Sequence, residues 1–309
     1  MRTFWLASYP KSGNTWMRMM IGALAVPEGG EVDINDVPDR AGIASGRLPF
    51  DFHTLVDSSL LSHDEIDLLR PAVYAIQAAG PYDEDRDAKA LAGTALARFV
   101  KTHDAYTRLP NGAPLLAGAQ GAAGAVLIVR DPRDVAPSLA NHNSIGLDEA
   151  IARMRNPANA LSAAEDRAAN QLRQRLLGWS GFAESWLAQT DLATIVVRYE
   201  DMQSDPAKAL GRVMQFAGDP RPAEALARAA ALTEFARLKR QETHAGFREA
   251  PRRAKGGFFR RGQAGAWKDE LTRAQVERIE AAHGAMMRRL GYESLGAIDG
   301  SGRPSQLQA

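Results

Sequence analysis

The chain lacks cysteine altogether, and this absence excludes several classes of protein at once. Without thiols there are no disulfides, thiolate zinc sites, iron–sulfur clusters or cysteine nucleophiles. No uncharged apolar run reaches the length of about 18 residues that a membrane helix needs, so we expect no membrane partner. Lys11–Asn14 and Arg18 interrupt the apolar start of the chain, which therefore does not resemble a signal peptide. We expect a cytoplasmic protein.

An excess of charge of one sign is also missing. The 309 residues include 38 Lys and Arg against 37 Asp and Glu, which gives a formal net charge of +1. This balance argues against a general binder of nucleic acids or membrane surfaces. Hydrophobic residues make up 45% and charged residues 24%, which excludes disordered and fibrous classes.

The chain alternates short apolar runs with helical patterns. The runs are continuous in apolar residues, as in strands that are buried on both faces of a parallel sheet. They are Thr3–Ser8, Ala125–Val129, Ala193–Val197 and, more weakly, Ala97–Lys101, and helical patterns over 14–26, 132–142 and 206–216 follow the first three. This order predicts an α/β fold of three layers, a single domain in which helices flank a central parallel sheet.

The rest of the chain divides into further helices and a tail. Residues 63–79 predict a helix with Ser62 as its N-cap. Residues 147–187, rich in Ala, Arg and Gln, predict helix throughout. We expect the domain to span residues 1–297 and residues 298–309 to form a flexible tail.

The first strand runs directly into the loop Tyr9–Trp16 (YPKSGNTW), and a helix follows. Backbone N–H groups of the loop and of the helix N-terminus converge on one spot, where Lys11 adds a positive charge. Gly13 allows the backbone to approach a phosphate closely. Further side-chain donors come from Ser12, Asn14 and Thr15. The loop is not a Walker A motif, because GxxxxGK[ST] is absent from the chain, and this disfavours a GTPase or an ATP kinase.

This loop resembles the YPKSGTTW phosphosulfate loop of the cytosolic-type sulfotransferases, which use 3′-phosphoadenosine 5′-phosphosulfate (PAPS). Asn14 stands where the family commonly has Thr. The resemblance implies a P-loop-like fold and a set of donor-binding residues in this loop, which are Lys11, Ser12, Gly13, Asn14, Thr15 and Trp16. Trp16 occupies the family's adenine-stacking position.

A second motif, Val129–Ser138 (VRDPRDVAPS), resembles the family's RNPRDVxVS segment. A strand end delivers Arg130, and Ser138 lies about two turns into the helix that follows. A guanidinium group binds phosphate through two parallel hydrogen bonds. The resemblance implies that Arg130 and Ser138 hold the 3′-phosphate.

A third motif, Gly256–Lys268 (GGFFRRGQAGAWK), resembles the family's RKGxxGDWK signature. Arg261 stands at the Lys position and Ala266 at the Asp position. The resemblance implies that Arg260, Arg261 and Gly262 also bind the 3′-phosphate.

The adenine ring needs a flat apolar slot. Tyr199, in a YEDM segment that matches the family, would reach the base beside Trp16. The segment Leu232–Phe235 (LTEF) resembles the one that closes over the other face. It supplies Phe235 as a second aromatic ring and Thr233 as a polar contact.

One of the six histidines stands in a context that fits catalysis. His103 follows a predicted strand, so it should lie at the carboxyl edge of the sheet, and VKTH resembles the family's KTH segment. A histidine with a pKa near neutrality is the usual group that takes a proton from an acceptor hydroxyl. We expect His103 to be the base and Lys11 to stabilise charge on the bridging oxygen. Lys101, on the same face of the strand, would contact a sulfonate oxygen, and His53 is the next candidate on the acceptor side.

The sequence thus predicts a sulfotransferase that moves a sulfuryl group from PAPS to a hydroxyl or amine of a small molecule, without a metal and without nucleic acid as a partner. Two alternatives stay open, a nucleotide or small-molecule kinase and a non-catalytic protein that binds a nucleotide bisphosphate. Apolar side chains favour a hydrophobic or aromatic alcohol as the acceptor, namely Phe50, Phe52, Leu55 and Tyr74.

The segment Lys268–Glu277 resembles the KxxxTVxxxE dimer segment of the animal enzymes. Arg273 stands where the family has Val, and a cation at an apolar contact position weakens that interface. We expect this interface not to be used, which leaves the oligomeric state open.

Overall fold

Parallel strands form the centre of the computed structural model, which describes residues 1–35, 42–80, 97–166, 169–250 and 257–294. The strands are β1 (Arg2–Ser8), β2 (Ala97–Thr102), β3 (Gly124–Val129), β4 (Ala160–Leu161), β5 (Gln174–Arg175) and β6 (Thr194–Arg198). Within these residues, β2, β1, β3 and β6 form one parallel sheet in that order, and β4 pairs with β5 in an antiparallel ladder.

Helices cover both faces of this sheet. They are α1 (Asn14–Ala23), α2 (Arg47–Thr54), α3 (His63–Ala79), α4 (Pro132–Asn143), α5 (Leu147–Arg155), α6 (Gly178–Ala188), α7 (Tyr199–Ser204), α8 (Pro206–Phe216), α9 (Ala223–Leu232), α10 (Phe235–Ala245) and α11 (Arg273–Arg289). The predicted bounds of α3 are confirmed, and its N-cap Ser62 forms a reciprocal capping box with Glu65. Among the described residues, no helix is both long and apolar enough to cross a bilayer.

The side chains of β1 alternate between the two faces of the sheet, which explains why helices pack on both faces and form three layers. Phe4 and Leu6 pack on one face of the sheet with side chains of α1, α8 and α9. Trp5 and Ala7 point to the opposite face and pack with side chains of α4, α6 and α11. Successive residues of a strand face opposite sides, so a continuous apolar run serves two cores at once. The predicted three-layer α/β fold of a single domain is confirmed.

The prediction of helix throughout 147–187 is wrong. Helix α5 ends at Arg155, and Asn156 precedes Pro157, which disfavours helical geometry at the residue before it. The β4–β5 pair occupies part of the interval before α6 begins at Gly178. A side chain at Gly178 would place its Cβ 2.6 Å from the carbonyl oxygen of Met154, so the chain can turn there only with glycine.

All the strands of the main sheet end at the same edge. Ser8 leads into the loop Tyr9–Trp16, Thr102 into His103, Val129 into Arg130, and Arg198 into Tyr199. Four segments that are far apart in sequence therefore meet at the carboxyl edge, where ligands bind in open α/β sheets.

Candidate active site

A cavity of about 560 Å³ opens at this edge. Most of the predicted site residues line it, namely Lys11, Gly13, Asn14, Thr15, Trp16, Lys101, His103, Arg130, Ser138, Tyr199, Phe235, Arg260, Arg261 and Gly262. Ser12 and Thr233 do not line it.

The loop between β1 and α1 has the backbone geometry of an anion site. Lys11 and Gly13 have φ angles of 71° and 102°, so the chain turns tightly before α1. A Cβ on Gly13 would lie 2.7 Å from Cδ2 of Tyr199, and this close approach requires glycine. The first N–H groups of α1 have no partners within the helix. Ser12 Oγ is buried and has no hydrogen-bond partner among the described residues, but Ser12 does not line the cavity, so the unpaired N–H groups of α1 are what suits an anionic group.

Asn14 does not offer its side-chain amide as expected. Its Nδ2 donates to the carbonyl oxygen of Leu6 at 2.8 Å and to Ser8 Oγ at 3.1 Å. The amide is buried, and it holds the end of β1 to the start of α1. The backbone N–H of Asn14, as the first residue of α1, has no partner within the helix and is the donor that this residue can offer to an anion.

Lys11 carries the charge of this loop. Its Nζ lies 3.9 Å from the centroid of the Phe258 ring, in a cation–π contact. Burial, together with the neighbouring charges of Lys101 and Arg130, lowers its pKa to about 7, although Glu242 and Glu249 act in the opposite direction. The ammonium group is therefore poised to gain from an anionic ligand.

Arg130 connects the loop to the third motif. Its guanidinium lies 4.2 Å from the centroid of the Tyr199 ring. Its Nη atoms donate to the carbonyl oxygens of Lys11 at 3.4 Å and Gln263 at 3.2 Å, and its Nε has no partner among the described residues. Ser138, two turns along α4, lines the same cavity. Arg130 thus keeps hydrogen-bonding capacity between the two segments that are predicted to hold phosphates.

Arg260 and Arg261 both approach one carboxylate. Arg260 forms a two-point ion pair with Glu270, and Nε of Arg261 lies 3.6 Å from Oε1 of the same residue. Glu270 therefore orients the two predicted phosphate ligands while it neutralises part of their charge.

Two residues that sequence reasoning missed fasten this segment to helices α7 and α4. Gln203 donates to the carbonyl oxygen of Gly262 at 2.6 Å and accepts from the N–H of Ala264 at 2.8 Å. Asp134 accepts from the backbone N–H groups of residues 265 and 267 at 2.7 and 2.9 Å. Gln203 directly follows the YEDM segment and Asp134 lies inside the VRDPRDVAPS motif. Their positions in or beside these motifs could have indicated a role in the site.

The aromatic slot is built from three rings. Trp16 and Tyr199 meet edge to face with centroids 5.8 Å apart, and Phe235 packs directly on Gly262. Nε1 of Trp16 donates to the carbonyl oxygen of Thr233 at 2.9 Å. The hydroxyl of Thr233 is fully buried and donates to Ala229 within the preceding helix. Thr233 therefore contributes through its backbone, by orienting Trp16, and not through the polar side chain that the sequence suggested.

His103 has a fixed tautomer. Its Nδ1 lies 2.6 Å from the carbonyl oxygen of Ser8, and because that oxygen can only accept, Nδ1 carries the hydrogen. The lone pair is then on Nε2 of a ring that lines the cavity. Burial lowers the pKa of His103 to about 3, and Lys101 contributes to the shift, so the ring is neutral at pH 7.

The residue after His103 anchors this strand end. Asp104 is buried, forms an ion pair with Arg70 and accepts from the N–H of Arg175 at 3.0 Å. Breaking a buried ion pair is strongly destabilising. The pair therefore fixes the backbone on which His103 stands.

A carboxylate that sequence reasoning missed lies among the predicted donor ligands. Glu249 forms ion pairs with Arg18 at 2.7 Å and Lys101 at 3.6 Å, and Thr15 Oγ1 donates to it at 3.3 Å. Burial alone would raise its pKa, but Lys101 and Arg18 outweigh this effect and lower the pKa to about 2. Glu249 is thus an anion held by groups expected to bind an anionic donor.

The residues expected on the acceptor side are not in the cavity. Phe50 and Tyr74 are buried in the core, whereas Phe52 and Leu55 are exposed, and neither these four nor His53 lines the cavity. The reason is that α2 and α3 bury one face against the domain and turn the other to solvent. Further residues that line the cavity are Ile43, Leu139, His142, Asn143, Leu161, Gln171 and Phe258.

Comparison with known proteins identifies the class. Residues 2–291 match the family described as the sulfotransferase domain. The chain therefore belongs to the sulfotransferase domain family, which confirms the predicted resemblance. These comparisons support a PAPS-dependent sulfotransferase and do not favour the kinase or the non-catalytic alternative.

Individual relatives are distant. The chain is 26% identical to sulfotransferase 2B1 of Homo sapiens over 52% of its own length, and the match spans only 43% of that protein. It is 22% identical to cytosolic sulfotransferase 17 of Arabidopsis thaliana, over 94% of this chain and 76% of that one. Among solved structures, retinol dehydratase in complex with androsterone and the inactive cofactor PAP superposes with a TM-score of 0.60 at 19% identity. That superposition covers 96% of this chain and 84% of the other and shows a shared fold.

Proposed function

We propose that the protein transfers the sulfuryl group of PAPS to a hydroxyl or amine of a small-molecule acceptor, with His103 as the base. One observation carries the proposal: the loop of Lys11, the guanidinium of Arg130 and the imidazole of His103 surround a single cavity. A positive, partly apolar cavity that contains the neutral imidazole of His103 suits an anionic nucleotide and a neutral nucleophile.

The donor-binding residues divide into two groups. The loop of Lys11, Ser12, Gly13 and Thr15 would hold the 5′ end, and Arg130, Ser138 and the Arg260–Gly262 segment would hold the 3′-phosphate. Bound PAPS supplies an activated sulfuryl group, for which an in-line displacement like phosphoryl transfer is expected. The unpartnered Nε of Arg130 supports this assignment, because Arg130 lines the cavity and this group has no other partner among the described residues.

His103 and Lys11 would divide the catalytic work. Nε2 of His103 takes the proton of the acceptor, and the carbonyl oxygen of Ser8 stabilises the cation that forms, since it already accepts from Nδ1. Lys11 offers positive charge where the nucleotide oxygen becomes negative. Lys101 lines the same cavity and would contact a sulfonate oxygen.

The acceptor would be a hydrophobic or aromatic alcohol. Ile43, Leu139, Leu161 and Phe258 give the acceptor end an apolar surface, and the structurally similar retinol dehydratase binds androsterone. A screen with labelled PAPS across phenols, steroid-like alcohols, amines, glycopeptides and sugars tests this choice. Transfer restricted to sugars or glycopeptides would contradict it.

The test of the reaction class uses PAPS with a labelled sulfonate group in the presence of a chelator. We expect label to move to an acceptor at a rate that the chelator does not change. Tight PAP binding without transfer to any acceptor would indicate a nucleotide-binding protein. Magnesium-dependent transfer from ATP would indicate a kinase.

Two further predictions concern the cellular location and the oligomeric state of the protein. The resemblance to a relative that is named cytosolic supports a cytoplasmic location.

The side chain of Arg273 is 88% exposed and pairs with Glu277 of its own helix, so it offers a charge where the family's dimer segment needs an apolar contact. Crosslinking between Thr272 and Glu277 of two copies would overturn the prediction that this interface is not used.

A further inference from the structure

His142 lies in the cavity, although no sequence motif predicts it there. It stands in the last turn of α4, four residues after Ser138, and both residues line the cavity. Residues four apart lie on the same face of a helix. The helix that presents the predicted phosphate ligand Ser138 thus presents His142 one turn further on.

The imidazole of His142 meets the ammonium of Lys11. Nζ of Lys11 lies 3.5 Å from Nδ1 of His142, and the Phe258 ring lies against both groups, 3.9 Å from Nζ and 6.2 Å from the imidazole centroid. An ammonium group only donates hydrogen bonds, so Nδ1 accepts and the hydrogen of the neutral ring is on Nε2. Burial lowers the pKa of His142 to about 4, and Lys11 and Lys101 act in the same direction, so the ring stays neutral at pH 7.

The surroundings of Lys11 explain why an uncharged hydrogen-bond acceptor beside its ammonium group matters. Lys101 and Arg130 repel its ammonium group, whereas the carboxylates of Glu242 and Glu249 attract it. A flexible lysine in such a field has no single preferred position. A carboxylate in place of His142 would hold it firmly but would cancel the charge that an anionic donor needs. An imidazole lone pair and an aromatic face hold the ammonium without neutralising it.

We infer that His142 is a positioning residue, which holds the Lys11 ammonium between the phosphate loop and α4 so that its full charge faces the donor. This role rests on the proposed function, because it concerns the lysine that would stabilise the leaving oxygen. His142 itself acts through Lys11 and is not assigned to the acceptor's proton.

The test compares variants of His142 that differ in the hydrogen-bond acceptor they place beside Lys11. His142→Phe keeps a ring and removes the lone pair, whereas His142→Asn places an amide oxygen near the position of Nδ1. Turnover should fall about tenfold in His142→Phe, in keeping with the cost of misplacing a reacting group. The affinity for PAP, measured at pH 6 where Lys11 is largely protonated, should stay within about threefold. His142→Asn should recover most of the turnover, and His142→Ala replaces His142→Phe where the bulkier ring prevents folding.

A second readout does not need turnover. The pH dependence of Lys11 modification by an amine-reactive reagent, followed by mass spectrometry, reports the pKa of Lys11 in the full chain. Loss of a hydrogen bond to the charged form should lower that pKa in His142→Phe and His142→Ala, and His142→Asn should restore it. Equal labelling profiles and equal turnover in all variants would overturn the inference. A failure of the proposed function would give a different result. The unmodified protein would then transfer no sulfuryl group, while the labelling profiles of Lys11 would still differ between the variants.

Discussion

Nδ1 of His103 donates to the carbonyl oxygen of Ser8 at 2.6 Å, so the last residue of β1 fixes the tautomer of the proposed base, which follows the neighbouring strand β2. The contact follows from the register of the sheet, in which Ala7 pairs with Thr102. Ser8 also leads directly into the phosphate loop. One hydrogen bond thus sets the base and the loop relative to each other.

This relationship predicts a selective loss in His103→Ala. Turnover should fall by at least about a hundredfold, the usual size of a general-base contribution. The affinity for PAP should hardly change, because no phosphate contact is lost. Calorimetry with PAP and a turnover assay on the same preparations give both values, and His244→Ala, at an exposed position on α10 outside the cavity, is the matched control. Near-normal turnover of His103→Ala with a good acceptor would remove His103 from the role of base.

The motif residues could be predicted from sequence because strand ends define their place. Once Thr3–Ser8, Ala97–Lys101 and Ala125–Val129 are recognised as parallel strands, Lys11, His103 and Arg130 must share an edge. The loop chemistry of Gly13 is equally local, since a tight turn needs a positive φ. Local sequence carries these features, so the α/β order and the position of the cavity followed from it.

Other residues of the site depend on how distant segments pack, which no local pattern records. Glu249 meets Thr15 of the phosphate loop from the segment that follows α10, and His142 meets Lys11 from α4. Asn14 was expected to donate to a ligand, but the carbonyl oxygen of Leu6 competes for its amide. The helix expected over 147–187 failed for a different reason, because composition favoured helix while Pro157 did not.

The position of Glu249 predicts that its charge opposes the donor. Its carboxylate accepts a hydrogen bond from Thr15 and forms ion pairs with Arg18 and Lys101. A bound anion must displace this carboxylate or lie beside it. Glu249→Gln should therefore bind PAP about three- to tenfold more tightly, a change of roughly 1 kcal/mol. Calorimetry at constant ionic strength measures the change, with Glu224→Gln on α9 as the control. Weaker binding in Glu249→Gln would show that the carboxylate orients Arg18 and Lys101 for the donor instead.

The contact of Gly262 with Phe235 predicts that glycine is required there. A Cβ at Gly262 would overlap the Phe235 ring, and its φ of 63° is itself costly for a residue with a side chain. Gly262→Ala should weaken PAP binding about tenfold or more, because both the adenine slot and the 3′-phosphate segment must shift. Gly112→Ala is the matched control, since Gly112 has a φ of 82° but no atom lies within 4 Å of the position that a Cβ would take. It should lose about 1 kcal/mol of stability and keep its affinity. Equal affinities in the two variants would argue against a nucleotide site at Gly262.

Lys11 gives the binding of the nucleotide a pH dependence of known sign. Its pKa in the free protein is lowered to about 7, chiefly by burial and then by Lys101 and Arg130. The anionic nucleotide prefers the protonated form, so the affinity for PAP should fall as the pH rises through about 7. The phosphates cannot cause such a fall, because their second pKa is about 6 and they hold full charge above it.

Lys11→Arg and Lys11→Met isolate this effect. A guanidinium stays charged at all of these pH values, so Lys11→Arg should bind PAP with an affinity that hardly changes between pH 7 and 9. Lys11→Met should bind more weakly at pH 6.5 and lose the decline, since no group of that loop then changes charge. Titration calorimetry from pH 6.5 to 9 at fixed ionic strength follows all three proteins. A decline that persists in Lys11→Met would assign the pH dependence to another group, of which Glu249 and His103 are unsuited because their pKa values lie at about 2 and 3.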